Sequence, residues 1–256
     1  MAIYKNTPPI VTNGLVLALD AANPKSYTSG STMWSSIVST GSFSMQQKAS
    51  SVFSFVTNPP AIFITQSAGV GGGDAINISG SLPFSENLSI ELWYKTATTG
   101  SGFANQSESP GIMQIGSYNN NASLTLWDWS QSTPGNHNIR TFVNNGATWS
   151  HTALSTTTYS DAIWVNQYHH IVMNFSGSAG KWNRYNLYID NILQSTVNFT
   201  IPFPSASISG NGTLNLSGAS GGNARNSYSI LKVYNRELTT TEIFQNYNAL
   251  KGRFGL

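Results

Sequence analysis

Cysteine is absent from the 256 residues, so neither a disulfide framework nor a thiolate metal site can hold this chain together. Charge is scarce as well. Asp, Glu, Lys and Arg make up 9% of the residues, against roughly 25% in an average soluble domain, and Ser, Thr, Asn and Gly stand in their place. The surface is therefore expected to be polar and nearly neutral. The net charge is +2 with the basic residues scattered singly, which leaves no stripe to displace counterions from phosphates and argues against a nucleic-acid partner. No apolar run approaches the ~18 residues that a membrane span needs, which argues against a membrane partner. The run GLVLALDAA at 14–22 resembles the apolar part of an export signal, but Asp20 interrupts it and only Lys5 precedes it at a distance. It reads as a buried strand. A packed core, assembly, or both must supply the stability.

What the chain has in quantity is strand pattern. Residues 1–13, MAIYKNTPPIVTN, carry adjacent prolines and little periodicity, and read as an extended N-terminal arm of the kind that docks on a neighbour. From Gly14 onward, SVFSFVT, AIFIT, LSIELWYK, ASLTLW, NIRTFV, HHIVMNF, YNLYID and YSILKVY recur between Ser-, Gly- and Asn-rich punctuation. Short strands at such spacing predict a sandwich or barrel. In LSIELWYK, Leu88, Ile90, Leu92 and Tyr94 share one face, expected to be buried, and Ser89, Glu91, Trp93 and Lys95 share a mixed one. Asp190 and Asn191 separate two apolar runs and tolerate the left-handed backbone of a two-residue hairpin. The Gly/Ser clusters are followed by more strands of the same kind, so they read as loops and not as domain boundaries.

The chain changes character near its end. Tyr228, Ile230, Lys232 and Tyr234 alternate with Ser229, Leu231 and Val233, which predicts a last strand ending near Asn235. Thr239 with Glu242 three residues on is the signature of a capping box. Ile243, Phe244, Tyr247 and Leu250 follow at helical spacing, and Gly252 is placed to end the helix in a left-handed turn.

A strand ending in VYNRELTTTEI resembles the closing segment of laminin-G-like domains of the concanavalin A-like lectin/glucanase fold. LSIELWYKT, and YHHIVMNFSG followed by YNLYIDNIL, resemble the same family in order, over roughly residues 74–250. IVTNGLVLALDAANPKSY and QNYNALKGRFGL resemble a narrower set, laminin-G-like structural proteins of tailed bacteriophages, including those of cyanobacteria. The resemblance implies an all-β fold, a concanavalin A-like jelly-roll sandwich of two antiparallel sheets with a short C-terminal α-helix. It also implies a virion component assembled in the host cytoplasm. The expected organisation is an arm at 1–13, a sandwich at 14–250 and a tail at 251–256. Where the family has a Phe-Asp-Gly step, this chain has GGGDAINIS.

Glycoside hydrolysis needs two carboxylates flanking the scissile bond. No two of the ten acids are two or four residues apart, which argues against an enzyme. His169 and His170 are adjacent on a strand and so point to opposite faces, one in and one out, and are poorly placed to share a metal. His137 and His151 have no acidic or histidine neighbour at ligand spacing. Asp74 is a candidate to give a calcium ion one carboxylate beside loop carbonyls, with ordering of the Gly-rich loop as its alternative role. For sugars, an exposed aromatic plane beside amide or carboxylate groups is required. Tyr118, Asn119, Asn120, Asn121, Trp127, Asp128 and Trp129 supply those types, although Trp127 and Trp129 share a strand face that equally suits core or subunit interface. The expected function is a non-enzymatic phage structural protein, a head decoration or fibre component. Its expected partners are other virion proteins and copies of itself, met through the arm, the tail KGRFGL or a sandwich edge. A glycan-binding adhesin on the host surface is the alternative.

Overall fold

The computed structural model describes residues 8–38, 44–47, 51–66, 76–79, 86–97, 111–117, 120–129, 135–144, 149–154, 157–179, 181–204, 214–216 and 225–256. Two antiparallel sheets stack face to face. The first runs β14 (Ile192–Pro204), β13 (Lys181–Ile189), β12 (His169–Ser178), β6 (Leu88–Thr96), β16 (Arg225–Tyr234), β4 (Pro60–Gln66) and β3 (Ser51–Thr57), with β1 (Leu15–Asp20) also paired to β16. The second runs β10 (Trp149–Leu154), β9 (Asn136–Asn144), β8 (Asn120–Trp129), β7 (Gly111–Ser117), β15 (Leu214–Leu216), β5 (Ile76–Ser79) and β2 (Ser44–Gln47), with the two-residue β11 (Tyr159–Ser160) on β9. This is the jelly-roll sandwich expected from the sequence, with its short C-terminal helix.

Strand alternation builds the core. Leu88, Ile90, Leu92 and Tyr94 of β6 and Ile171, Met173 and Phe175 of β12 meet Leu124, Leu126 and Ile139 of the second sheet. Removing such side chains from water, at about 25 cal/mol per Å2 of apolar surface, is the main force holding the layers together. The hairpin between β13 and β14 turns on Asp190 (φ 49°) and Asn191 (φ 66°), both left-handed as expected, and sets Ile189 opposite Ile192.

The mixed face of β6 is also buried. Glu91 and Trp93 are fully enclosed, because the C-terminal helix α2 (Thr240–Leu250) and a 3-10 turn at Lys251–Phe254 lie across it. Trp93 stacks on Phe254 with ring centroids 4.2 Å apart and on Tyr247 at 5.8 Å. A polar network sits beside these rings. Lys232 Nζ donates to Glu91 Oε1 (2.9 Å) and Asn246 Nδ2 donates to Glu91 Oε2 (2.6 Å). His170 Nε2 approaches Glu91 at 3.3 Å. Asn246 Oδ1 in turn accepts from the backbone N–H of Val11, and Tyr234 Oη donates to the Val11 carbonyl. The described part of the arm therefore docks on its own helix, where sequence reading expects a neighbour. A buried charge demands such partners, since an unpaired one costs several kcal/mol.

The capping box is present, with the Thr239 hydroxyl accepting from Glu242 N–H and the Glu242 carboxylate accepting from Thr239 N–H. Arg236 clamps the same carboxylate at 2.6 Å. Thr239→Ala is expected to destabilise the fold by about 1 kcal/mol, read as a shift in the urea midpoint with unchanged slope.

Three expectations need correcting. Phe244 is 53% exposed, and Asn246 takes the inward place instead, because the network needs an amide there. The helix ends at Leu250, Gly252 lies within the 3-10 turn that follows, and the left-handed residue is Gly255 (φ 79°). A register shift between Tyr228 and Ile230 turns Tyr228 into the inter-sheet core while Ile230 faces the helix, so the two do not share a face. The tail packs on its own chain, with the half-buried Phe254 on Trp93 and Arg253 2.8 Å from Asp20.

Candidate functional site

Of the residues read as a glycan platform, those that are described lie along one strand. Tyr118 and Asn119 lie outside the described residues, as does Asp74, the calcium candidate. Asn120 and Asn121 begin β8 and Trp129 ends it. At about 3.3 Å per residue, the two ends of that strand are roughly 30 Å apart, too far for one sugar ring to touch both. Trp127 is 1% exposed and packs on Phe142 with centroids 4.4 Å apart. It is core, and offers no plane to a ligand. Asp128 is likewise 1% exposed.

What the fold assembles instead is a polar cluster at one end of the sandwich. On β8, Leu124 and Leu126 point into the core and Asp128 follows at the same parity; on the paired strand β9, Ile139 points in and so does His137. Both Asp128 oxygens lie 2.9 Å from His137 Nδ1. On the other side, His137 Nε2 lies 2.7 Å from Asp161 Oδ1. Asp161 opens a single helical turn, α1 (Asp161–Trp164), which is reached from β11 and tied down by Asp161 N–H donating to the Gly135 carbonyl.

Trp164 closes this end. Its Nε1–H donates to Asp128 Oδ2 (2.8 Å), and its ring stacks on His169 with centroids 4.0 Å apart and planes 15° apart. Tyr159 packs against the same indole at 4.8 Å. His169 Nδ1 donates to Asp190 Oδ2 (2.7 Å), while Asp190 Oδ1 accepts the backbone N–H of His170. The hairpin tip is thus sewn to β12. His169 and His170 do face opposite ways, but both are buried, one under Trp164 and the other under α2.

Burial by itself lowers the His137 pKa, but hydrogen bonds and attraction from Asp128 and then Asp161 outweigh it and leave the group raised. Burial pushes Tyr159 up to about 12, with the Asp190 charge adding to it. Asp128 and Asp161 are carboxylates brought together from 33 positions apart, a meeting that spacing along the chain does not reveal. Their geometry does not suit glycoside hydrolysis. One of them is enclosed, and the imidazole fills the space where a glycosidic bond would have to lie. Among the described residues, no group of three or more His, Asp or Glu side chains is arranged to hold a metal ion.

The chain matches no protein-family model and no curated protein sequence. Its fold is nonetheless shared with solved structures. Domain 4 of AbnA, a GH43 extracellular arabinanase from Geobacillus stearothermophilus, in complex with arabinotriose, is 13% identical with a TM-score of 0.57, over 92% of this chain and 98% of that one. The binding domain of Paraclostridial Mosquitocidal Protein 1 is 14% identical (TM-score 0.57), over 92% of this chain and 52% of that one. Trypanosoma rangeli sialidase, in complex with a difluoro-KDN, is 14% identical (TM-score 0.57), over 95% and 34%. The chain spans nearly the whole of the first but about half of the second and a third of the third. At this level of identity the likenesses are of fold, an antiparallel β-sandwich.

Proposed function

We propose that this chain is a non-enzymatic structural protein of a tailed-bacteriophage virion, a head decoration or a component of a fibre or appendage, built on a lectin-like sandwich. It is assembled in the host cytoplasm with other virion proteins and further copies of itself as partners. The observation that carries this reading joins sequence to geometry. The two segments that resemble phage structural proteins, near 10–27 and 245–256, form one packed unit across the first sheet. Val11 bonds to Asn246 and Arg253 pairs with Asp20. Two stretches more than 200 residues apart that fold against each other are one feature of the molecule. A contact role also suits a chain whose carboxylate pair, Asp128 and Asp161, is engaged by a buried imidazole.

Quantitative mass spectrometry of gradient-purified particles tests it. The chain is expected at a fixed stoichiometry to the major capsid protein, and particles that lack it contradict the proposal.

A second reading, a glycan-binding adhesin, is favoured by one specific comparison: the arabinanase domain of the same fold was solved with arabinotriose. A sugar would dock on a surface away from Trp127, which is enclosed. On a glycan array the adhesin reading predicts saturable binding of the purified protein to host-surface polysaccharide, weakened by Trp129→Ala. No binding at micromolar protein removes it.

A further inference from the structure

We propose that Asp128, His137 and Asp161 form a proton-dependent clasp on the β11–α1 segment, closed while His137 carries both ring protons and loosened when it loses one. Carboxylates only accept hydrogen bonds. An imidazole with carboxylate oxygens 2.9 Å from Nδ1 and 2.7 Å from Nε2 satisfies both sides only as imidazolium, because the neutral ring turns a lone pair toward one of them. Asp128 is 1% exposed and bound through both oxygens, so the proton on Nδ1 is the better held. The Asp161 side chain is 37% exposed, and the Nε2–H shared with it is the one that leaves. The contact at Asp161 then becomes repulsive at the residue whose backbone fastens α1 to Gly135 and to Val165.

The other groups around the imidazole leave this assignment intact. Tyr159 pairs with His137 across β11 and β9 and stays neutral, being pushed up to about 12 by burial and the Asp190 charge. Tyr94 on β6, raised by burial and then by the Asp128 charge, also stays neutral. His169 on β12 lies beyond Trp164 and has Asp190 as its own partner. Arg140 stands on β9 itself, three residues along the strand, and carries its charge throughout.

The sign follows from the raised pKa of His137. Such a group adds stability that is complete below its unfolded value of 6.5 and is lost as pH rises through the higher folded value.

The test is made on the full chain. Imidazole nitrogen NMR between pH 5.5 and 9 is expected to show His137 protonated on both nitrogens at pH 6.5, losing Nε2–H first. Amide exchange at 161–165, corrected for its intrinsic base catalysis, is expected to speed up by about threefold to tenfold across that titration. This range is the loss of one charge-assisted bond, reduced because Asp161 is partly solvated. Asp161→Asn presents both an acceptor and a donor to Nε2, pairs with either ring form, and is expected to flatten the pH dependence. His169→Gln is expected to preserve it. A His137 with one bare nitrogen at pH 6.5, pH-independent exchange in the parent, an unchanged profile in Asp161→Asn, or a lost one in His169→Gln each overturns the clasp.

Discussion

Lys232→Met is expected to lower the free energy of unfolding by about 3–5 kcal/mol, because it leaves the Glu91 carboxylate buried without its cation. Glu91 is fully enclosed, and the other groups around it are an amide, a phenol and an imidazole. Burial alone raises the Glu91 pKa, but attraction from Lys232 and hydrogen bonding and attraction from His170 overcome it and bring it to about 2. A carboxylate lowered in this way contributes stability that is whole above its ordinary value of 4.5 and fades as pH falls toward 2. The parent protein should therefore lose stability in that window. In Lys232→Met the loss should begin at higher pH, since the group that held the carboxylate ionised is gone. Urea denaturation at pH 7 and at pH 3.5 measures both effects. The double variant Glu91→Leu/Lys232→Met is expected to be less unstable than the sum of its single changes, because no unpaired charge remains. Strict additivity would show that the pair is not coupled.

Trp93→Ala is expected to cost about 3–5 kcal/mol, the usual range for deleting an enclosed indole. It should also release the end of the chain. Phe254, Tyr247 and His170 all pack on the Trp93 ring, and with it gone the 3-10 turn is left with Phe254 against Tyr168 and the Arg253 contacts with Asp20 and Ser229. Limited trypsin digestion followed by intact-mass measurement reads this directly. Cleavage after Lys251 and Arg253 should be slow in the parent and much faster in Trp93→Ala, under conditions where both remain folded by circular dichroism. Equal cleavage in the two proteins would mean that the turn is not anchored by the stack.

Features decided by neighbouring residues were legible in the sequence. The capping box at Thr239 and Glu242 and the left-handed pair Asp190 and Asn191 depend on chemistry within four residues, and both were found where expected. The long strands β6 and β12 were equally plain, and so was the existence of β16, though not the register shift that breaks its alternation. Much of the second sheet was not, because β2, β5 and β15 are only three or four residues of Ser-, Asn- or Gln-containing sequence, and partners far along the chain make them strands. The same limit hid the two polar clusters. Glu91 and Lys232 are 141 residues apart, yet each sits alone between apolar neighbours in mid-strand. Two opposite charges so placed are the signal that could have paired them. Asp128 reads in the sequence as a candidate sugar contact beside two tryptophans, whereas its parity with Leu124 and Leu126 places it inside and demands a partner. The partner, His137, shows no acidic neighbour in sequence, since both of its carboxylates arrive from other elements.

On the reading we propose, this sandwich works by contact, as a stoichiometric part of a virion. Electron cryo-microscopy of purified particles tests it most directly. Ordered, symmetry-related density is expected, into which two stacked sheets, with α2 folded across one of them, fit as a rigid body. A map at side-chain detail whose protein density is fully accounted for by other chains would contradict it.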